Sequence, residues 1–141
     1  MVPLEGESGM INVVVVSHGD LGAALIRAAE MIAGTQEQLY SVALLPGESP
    51  ECFAGKLAAA LAAIAGQETL VMIDLFGGTP YNVAAFRLLA DRNVECVTGA
   101  NLPMLLEVLL SRDGAALPEL AAVATRAGQE SVKNLRPMLG K

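Results

Sequence analysis

Tryptophan is absent from this 141-residue sequence and aromatic residues make up only 4% of it, although hydrophobic residues make up 53%. Much of the hydrophobic content is alanine, which is a strong helix former and allows helices to pack closely. Such a composition favours packed helices over aromatic-lined ligand pockets. The length is that of one domain. We therefore expect a single soluble, helix-rich α/β domain.

Runs of basic residues and long apolar runs are also missing. Nine basic residues stand against fifteen acidic ones, so the net charge is -6 and nucleic acid is not an expected partner. The longest apolar stretches fall well short of the ~20 residues that span a bilayer, and the first ten residues lack the features of a signal peptide. We therefore expect a cytoplasmic protein.

Histidine and cysteine are scarce. The one histidine makes a zinc site improbable, and we expect no metal. Cys52 and Cys96 lack both metal-ligand spacing and the density of a disulfide scaffold, so we expect buried, reduced thiols. The glycine-rich nucleotide-binding motifs G-x-x-x-x-G-K-[ST] and G-x-G-x-x-G are absent, and we expect no cofactor.

The histidine follows the most strand-like stretch of the chain. Residues 11–16 are a short, mostly β-branched run that indicates a core strand of a parallel sheet. Ser17-His18-Gly19-Asp20 then indicates a turn that opens a helix. His18 is therefore predicted at the carboxyl end of a strand.

The rest of the chain alternates between strand and helix patterns, which predicts a doubly wound, mainly parallel sheet with helices on both faces. We expect four parallel strands in the order 2-1-3-4. Asp20 and Thr79 are the predicted N-caps of the first and third helices, Ser49 precedes a proline at the start of the second, and Gly34 suits the end of the first. The predicted strands after the first cover 38–45, 69–73 and 93–98, and the predicted helices cover 21–33, 50–65, 79–88, 102–110 and 118–128.

Three segments are predicted along the chain. Residues 1–10 are rich in glycine and glutamate without periodicity, so we expect a disordered leader, a mis-assigned start or a remnant of cloning. Residues 11–135 form the domain, and 136–141 form a C-terminal tail. Within the domain, 131–135 is ambiguous between a helix end and an edge strand.

Two polar side chains are predicted to meet at one edge of the sheet. Asp74 ends the third strand as His18 ends the first, and ligands of such sheets bind beyond the strand ends where the strand order reverses. An imidazole nitrogen is a competent nucleophile near neutral pH, and a carboxylate on the other ring nitrogen would fix the tautomer. A phosphohistidine site is one interpretation. The alternative is a hydrogen-bonded turn histidine and a loop-capping aspartate.

Four motifs in order resemble the mannose-family enzyme IIA, a component of the bacterial phosphoenolpyruvate-dependent sugar phosphotransferase system. The similarity covers about residues 11–135. The motifs are Ser17-His18-Gly19, Leu45-Pro46-Gly47-Glu48, Asp74 to Asn82, and Thr98 to Leu105.

The resemblance implies a transferase whose histidine, here His18, is phosphorylated by the histidine-containing phosphocarrier protein and passes the group to a IIB component. It implies that Asp74 supports the histidine. Thr79, with Gly19, Gly77 and Gly78, is the candidate set that binds the phosphoryl oxygens. Phe76 and Leu102 are candidates for the docking face, with a plain core position as the alternative for Phe76. The resemblance also implies that the protein meets a membrane only indirectly, through a permease complex. Family members commonly form dimers that exchange a C-terminal edge strand, for which Ser131 to Leu135 is the candidate.

Two classes of function stay open from the sequence. One is a component of a sugar-transport chain, with the sugar unspecified. The other is a regulatory protein whose phosphorylation state is read by a partner. A related alternative is the phosphoryl donor of dihydroxyacetone kinase, which shares the fold.

Overall fold

Four strands and six helices lie within residues 10–140, the part of the chain that this computed structural model describes. Strand and helix alternate as far as the fourth helix, and two further helices follow. Most of the predicted leader lies outside the described residues, but Met10 forms an isolated antiparallel bridge with Asp113. The elements are β1 (Asn12–His18), α1 (Leu21–Ala33), β2 (Leu39–Leu44), α2 (Pro50–Ala62), β3 (Thr69–Ile73), α3 (Gly78–Ala90), β4 (Val94–Thr98), α4 (Leu102–Ser111), α5 (Leu117–Glu130) and α6 (Leu135–Met138).

The strands form one parallel sheet in the order β2-β1-β3-β4, which confirms the predicted fold class. The chain moves from β1 to β2 on one side and then crosses to β3 on the other. The strand order therefore reverses between β1 and β3, and Val16 of β1 pairs with Ile73 of β3 there. His18 and Asp74 follow directly, so the sheet brings them to one edge.

The core has two halves because successive side chains of a strand point to opposite faces. Val13 and Val15 of β1 pack with α1, α4 and α5, whereas Val14 and Val16 pack with α2 and α3. Helices cover both faces, and every residue of β1 before His18 is buried. This burial explains why the strand reads as a continuous apolar run rather than an alternating one.

The helices begin within one residue of the predicted starts, but α2 ends at Ala62 rather than at 65, and two predicted N-caps differ. Ser49 accepts a hydrogen bond from the Cys52 N–H at 3.1 Å, and Gly34 ends α1 with φ of 83°. Asp20 occupies the N-cap of α1 but its side chain makes no capping bond there. The cap of α3 is Gly77, whose φ of 107° starts the helix at Gly78, so Thr79 lies inside the helix rather than before it.

The predicted C-terminal edge strand is absent from the described chain. Ser131 is the C-cap of α5, and its N–H and hydroxyl donate to carbonyls of the last helical turn, the hydroxyl to Gly128 at 2.7 Å. These bonds cap the end of α5, residues 132–134 are irregular, and Leu135 begins α6. Exchange of this segment between two chains stays a prediction.

The two cysteines are free thiols, but only one is even partly buried. Cys52 is exposed at the start of α2, contrary to the prediction, because it lies on the outer side of the helix beside Glu48. Cys96 of β4 is half-buried, and desolvation raises the pKa of its thiol to about 11. The Cys96 thiol is therefore protonated at neutral pH.

Arg112 ties together the amino ends of two strands at the edge opposite His18. Its buried guanidinium donates to the carbonyls of Ile11, at 3.2 Å, and of Gln38, at 2.8 Å. It also donates to the Glu37 carbonyl and to Gln36 Oε1, the latter at 3.5 Å. Burial lowers the pKa of Arg112. Carbonyl oxygens thus replace water around a desolvated cation.

We expect Arg112→Met to lower the free energy of unfolding by about 3 kcal/mol, because it removes the hydrogen bonds that a buried guanidinium donates to three main-chain carbonyls. Urea denaturation followed by circular dichroism measures this. The matched control is Arg126→Met on the exposed side of α5, which should change stability by less than about 0.5 kcal/mol. Equal effects of the two variants would contradict the assigned role of Arg112.

Candidate functional site

His18 and Asp74 are hydrogen-bonded to each other through two separate contacts. The His18 backbone N–H donates to Asp74 Oδ2 at 2.9 Å, and His18 Nδ1 lies 3.0 Å from the same oxygen. The Asp74 N–H in turn donates to the Val16 carbonyl at 3.1 Å, which continues the pairing of β1 and β3. The sheet therefore fixes both the backbone and the ring of the histidine relative to the carboxylate.

The contact to Asp74 determines which ring nitrogen of His18 can react. A carboxylate can only accept hydrogen bonds, so Nδ1 must carry the hydrogen that it donates. In the neutral ring this leaves the lone pair on Nε2. The His18 side chain is 47% exposed whereas that of Asp74 is 8% exposed. The arrangement presents an unprotonated nitrogen to the surface with its carboxylate support held beneath it.

The second carboxylate oxygen of Asp74 is unusual among the described residues. Asp74 Oδ1 is buried and has no hydrogen-bond partner there. A buried carboxylate without full hydrogen bonding is costly, so the two bonds to Oδ2 are the main compensation that this side chain receives.

The amino end of α3 approaches the ring of His18. A Cβ atom added to Gly78 would lie 3.8 Å from both His18 Nε2 and Cε1, and Gly78 has φ of 84°. The first N–H groups of a helix have no partner within it and carry the positive end of its dipole. An anion held on Nε2 would therefore lie beside Gly78. Gly77 and the half-buried Thr79 flank that residue.

Gly19 serves the turn rather than the anion-binding loop in this structure. Its N–H donates to the Leu44 carbonyl at 2.8 Å, and its φ of 55° lies in the region that favours glycine. That bond occupies the one backbone donor that Gly19 has, so Gly19 has no free N–H for a phosphoryl oxygen. The other predicted phosphoryl-binding residues, Gly77, Gly78 and Thr79, lie on α3 or its cap. The bond to Leu44 has no sequence signal of its own.

Glu48 organises the loop after β2, next to His18. Its Oε1 accepts from the Leu45 N–H at 2.9 Å and pairs with Lys56 Nζ at 2.9 Å, and the Cys52 thiol donates to its Oε2 at 3.2 Å. The Leu45 bond, followed by the Lys56 bond, lowers the pKa of Glu48. The bond to Glu48 raises the pKa of the Cys52 thiol. The sequence identifies Leu45 to Glu48 as a motif but does not reveal that the Glu48 side chain holds this loop together.

A family comparison bears directly on this geometry. The family model EIIA-man, described as PTS system fructose IIA component, matches residues 12–125. The chain belongs to the EIIA-man family. The match includes all four strands, the histidine turn and the loop at the start of α3.

Two curated relatives illustrate the similarity. The PTS system fructose-specific EIIA component of Bacillus subtilis is 40% identical over 112 residues, which are 79% of this chain and 77% of that protein. The PTS system mannose-specific EIIAB component of Escherichia coli is 37% identical over 129 residues, 89% of this chain. The chain spans only 40% of the length of that second relative.

Solved structures agree with the fold. The mannose/sorbose specific IIA subunit of the phosphotransferase system from Enterococcus faecalis superposes with a TM-score of 0.84 at 31% identity, over 89% of this chain and 94% of that one. The PTS IIA protein associated with the fucose utilization operon of Streptococcus pneumoniae gives a TM-score of 0.83 at 32% identity, over 94% and 98% of the two chains.

Apolar side chains surround the histidine of this EIIA-man chain. Phe76 is 73% exposed and its ring centroid lies 4.8 Å from that of Tyr81. Leu102, also predicted on this face, is instead half-buried against the core half that contains α4 and α5. The exposed large apolar residues at this edge, which we call the site rim, are Leu21, Leu45, Leu75 and Phe76.

The described residues contain neither a metal-binding cluster nor a membrane-spanning helix. Within residues 10–140 no group of three or more His, Cys, Asp or Glu side chains could hold a metal ion. No helix in the same range is both long and apolar enough to cross a bilayer.

The Asp74 contact predicts the tautomer of the neutral His18 ring. We expect ¹⁵N-edited NMR at a pH where the ring is neutral to show the hydrogen on Nδ1 in the wild type. Asp74→Ala removes the acceptor, so the population should shift toward the Nε2–H form that free imidazole side chains otherwise populate. An unchanged tautomer in Asp74→Ala would show that Asp74 does not set it.

Proposed function

We propose that this chain is a phosphocarrier that accepts a phosphoryl group on His18 Nε2 and passes it on. The donor is the histidine-containing phosphocarrier protein, and the acceptor is a IIB component of a sugar-uptake system. The observation that carries the proposal is the pair of bonds from His18 to Asp74, together with the closeness of Nε2 to Gly78 at the start of α3. Membership of the EIIA-man family supports it.

The transfer is an in-line displacement at phosphorus. The Nε2 lone pair of His18 forms the new N–P bond while the bond between phosphorus and the donor's imidazole nitrogen breaks, and that electron pair returns to the donor ring. The hydrogen on Nδ1 stays between the ring and Asp74, whose negative charge stabilises the phosphorylated imidazolium. Positioning and electrostatic stabilisation supply most of the acceleration. The second transfer repeats these steps with His18 as the leaving group.

The start of α3 is suited to the phosphoryl oxygens. N–H groups at the first helical positions point outward beyond the helix end, where they bind anions. Gly78 and Thr79 supply such groups, and Gly77 allows the backbone to turn into the helix at a φ that other residues rarely adopt. The Thr79 hydroxyl adds a further donor. Pro80 has no N–H, so the donors come from the residues before it.

The relatives' names support the choice of acceptor but not of a sugar. The Escherichia coli relative is named an EIIAB component, and this chain matches a part of it. The names of relatives include mannose, fructose and sorbose. The carrier step touches only the phosphoryl group, so the proposal specifies no sugar.

Two surfaces fit the partners. The site rim surrounds His18 and would contact both the donor and the IIB component.

A homodimer is also part of the proposal, because β4 pairs with β3 on one side only and its other side borders a groove of about 630 Å³ between α3 and α5. A strand from a second copy would satisfy the open edge of β4.

The central experiment incubates the protein with phosphoenolpyruvate, enzyme I and the phosphocarrier protein and measures intact mass. We expect one acid-labile phosphoryl adduct in the wild type and none in His18→Ala. Asp74→Ala should stay folded and react roughly 10- to 100-fold more slowly, because the ring is no longer oriented. Full labelling of His18→Ala, with partners proven active on a known acceptor, would refute the proposal.

The docking role of the site rim can be tested with two phenylalanines of nearly equal exposure. Phe76 is 73% exposed beside the site, and Phe86 is 71% exposed farther along α3. We expect Phe76→Ser to lower kcat/KM for phosphoryl transfer from the donor protein by roughly tenfold, since interface aromatics carry much of the binding energy. Phe86→Ser should leave it unchanged. Equal loss in both variants would contradict a docking role for the rim.

A further inference from the structure

The hydroxyl of Ser17 binds the backbone on the far side of the histidine turn. Ser17 is 1% exposed, and its Oγ accepts from the Gly22 N–H at 2.8 Å while its hydroxyl hydrogen is directed to the Gly19 carbonyl at 3.2 Å. One buried hydroxyl therefore links the end of β1, the turn and the first turn of α1. These bonds enclose the segment that carries His18.

Ser17 does not reach the reacting atoms. Neighbouring residues of a strand point to opposite faces, and Ser17 points with Val13 and Val15 toward α1. His18 points to the other side, where Asp74 and Gly78 lie. Any effect of Ser17 on phosphoryl transfer must therefore pass through the backbone of the turn.

Gly22 shows how closely α1 is held at this point. A Cβ atom at Gly22 would lie 3.2 Å from Ser17 Oγ, from Val15 Cγ1 and from the Val15 carbonyl. Such contacts are tighter than ordinary van der Waals contact, so glycine allows the helix to begin directly against β1. This close approach brings the Gly22 N–H within 2.8 Å of Ser17 Oγ.

The turn is fixed by three backbone N–H bonds with different partners. The N–H of His18 donates to Asp74, that of Gly19 to the Leu44 carbonyl, and that of Gly22 to Ser17. Only the first involves the carboxylate that supports the ring. Ser17 and the Leu44 carbonyl hold the backbone of the turn, whereas Asp74 also binds the ring.

We infer that Ser17 is a positioning residue for His18: its hydroxyl sets the course of the turn and thereby the direction in which Nε2 faces the start of α3. The inference rests on the proposed phosphocarrier function for its kinetic consequence. Its structural consequence, the orientation of the His18 ring, can be measured without any partner. It predicts a loss mainly in the chemical step, because three of the four site rim residues, Leu45, Leu75 and Phe76, belong to other loops and only Leu21 adjoins this turn.

The test compares Ser17→Ala with Ser17→Thr, which keeps a hydroxyl and suits a strand. For transfer from the phosphocarrier protein we expect Ser17→Ala to lower kcat about tenfold with KM nearly unchanged, because small displacements of a reacting group have large effects on rate. Ser17→Thr should recover most of that loss. In the same samples, ¹⁵N-edited NMR should show a reduced population of the His18 Nδ1–H tautomer in Ser17→Ala.

A matched control separates positioning from loss of stability. Val108→Ala on α4 removes a fully buried side chain from the core half that Ser17 faces, without changing any bond of the turn. At a temperature where all variants are folded, it should leave both kcat and the tautomer as in the wild type. If Thr misfits the buried position, Gly22→Ala provides a second test: its Cβ would lie 3.2 Å from Ser17 Oγ and from Val15, so these neighbours or α1 must shift by a few tenths of an ångström, and we expect a smaller loss in the same direction as that of Ser17→Ala.

The outcomes distinguish this inference from the proposed function. An unchanged kcat and tautomer in Ser17→Ala would overturn the role of Ser17 while leaving the phosphocarrier function intact. If the wild type accepts no phosphoryl group from active partners, the proposed function fails, and the tautomer measurement decides the inference about Ser17 alone. Equal losses in Ser17→Ala and Val108→Ala would reduce Ser17 to a stabilising residue and overturn the inference.

Discussion

One carboxylate oxygen, Asp74 Oδ2, holds both the backbone and the ring of His18, and the rest of the site depends on these two bonds. The backbone bond continues the β1–β3 pairing beyond the last regular pair, so the loop is an extension of the sheet. The ring bond sets the hydrogen on Nδ1 and leaves Nε2 to face the amino end of α3. A flexible surface histidine would lose this order, and it would have to regain it at each transfer. Here the sheet supplies that order in advance.

The position of the switch point explains why such an oxygen is at hand. Two neighbouring parallel strands end at the same edge, and the helices that follow them diverge to opposite faces of the sheet. The loops after β1 and β3 are thus adjacent while their helices do not compete for space. Gly78 lets α3 begin against the ring, and Gly22 lets α1 begin against β1. Close approach of two helix starts to one strand end is what makes the site compact.

Much of this could be predicted from the sequence. The buried run of β1 and the alternation of elements predict the sheet. A parallel sheet places His18 and Asp74 at the same edge, so their proximity is predictable although the contact distance is not. Contacts that depend on backbone carbonyls have no such signal: nothing in the sequence indicates that Leu44 would accept the Gly19 N–H. The predictions of two N-caps were wrong for a related reason, because the actual hydrogen bonds and backbone angles there depend on the neighbouring structure. The Gly22 N–H in the first turn of α1 donates to Ser17 rather than to Asp20, and α3 begins at Gly78, after a Gly77 with positive φ, rather than after Thr79. Local pattern left segment 131–135 ambiguous, and in the structure Ser131 caps α5, residues 132–134 are irregular and Leu135 begins α6.

The buried guanidinium of Arg112 has a consequence for how this fold can diversify. It joins the amino ends of β1 and β2 by bonds to main-chain carbonyls, at the edge of the sheet opposite the rim of Leu21, Leu45, Leu75 and Phe76. Main-chain acceptors are present whatever the side chains are, so this anchor makes few demands on the neighbouring sequence. The exposed rim residues contribute little to the core. Substitutions in the rim can therefore accumulate with little loss of folding stability, so under the proposed docking role recognition can diverge while the scaffold stays the same.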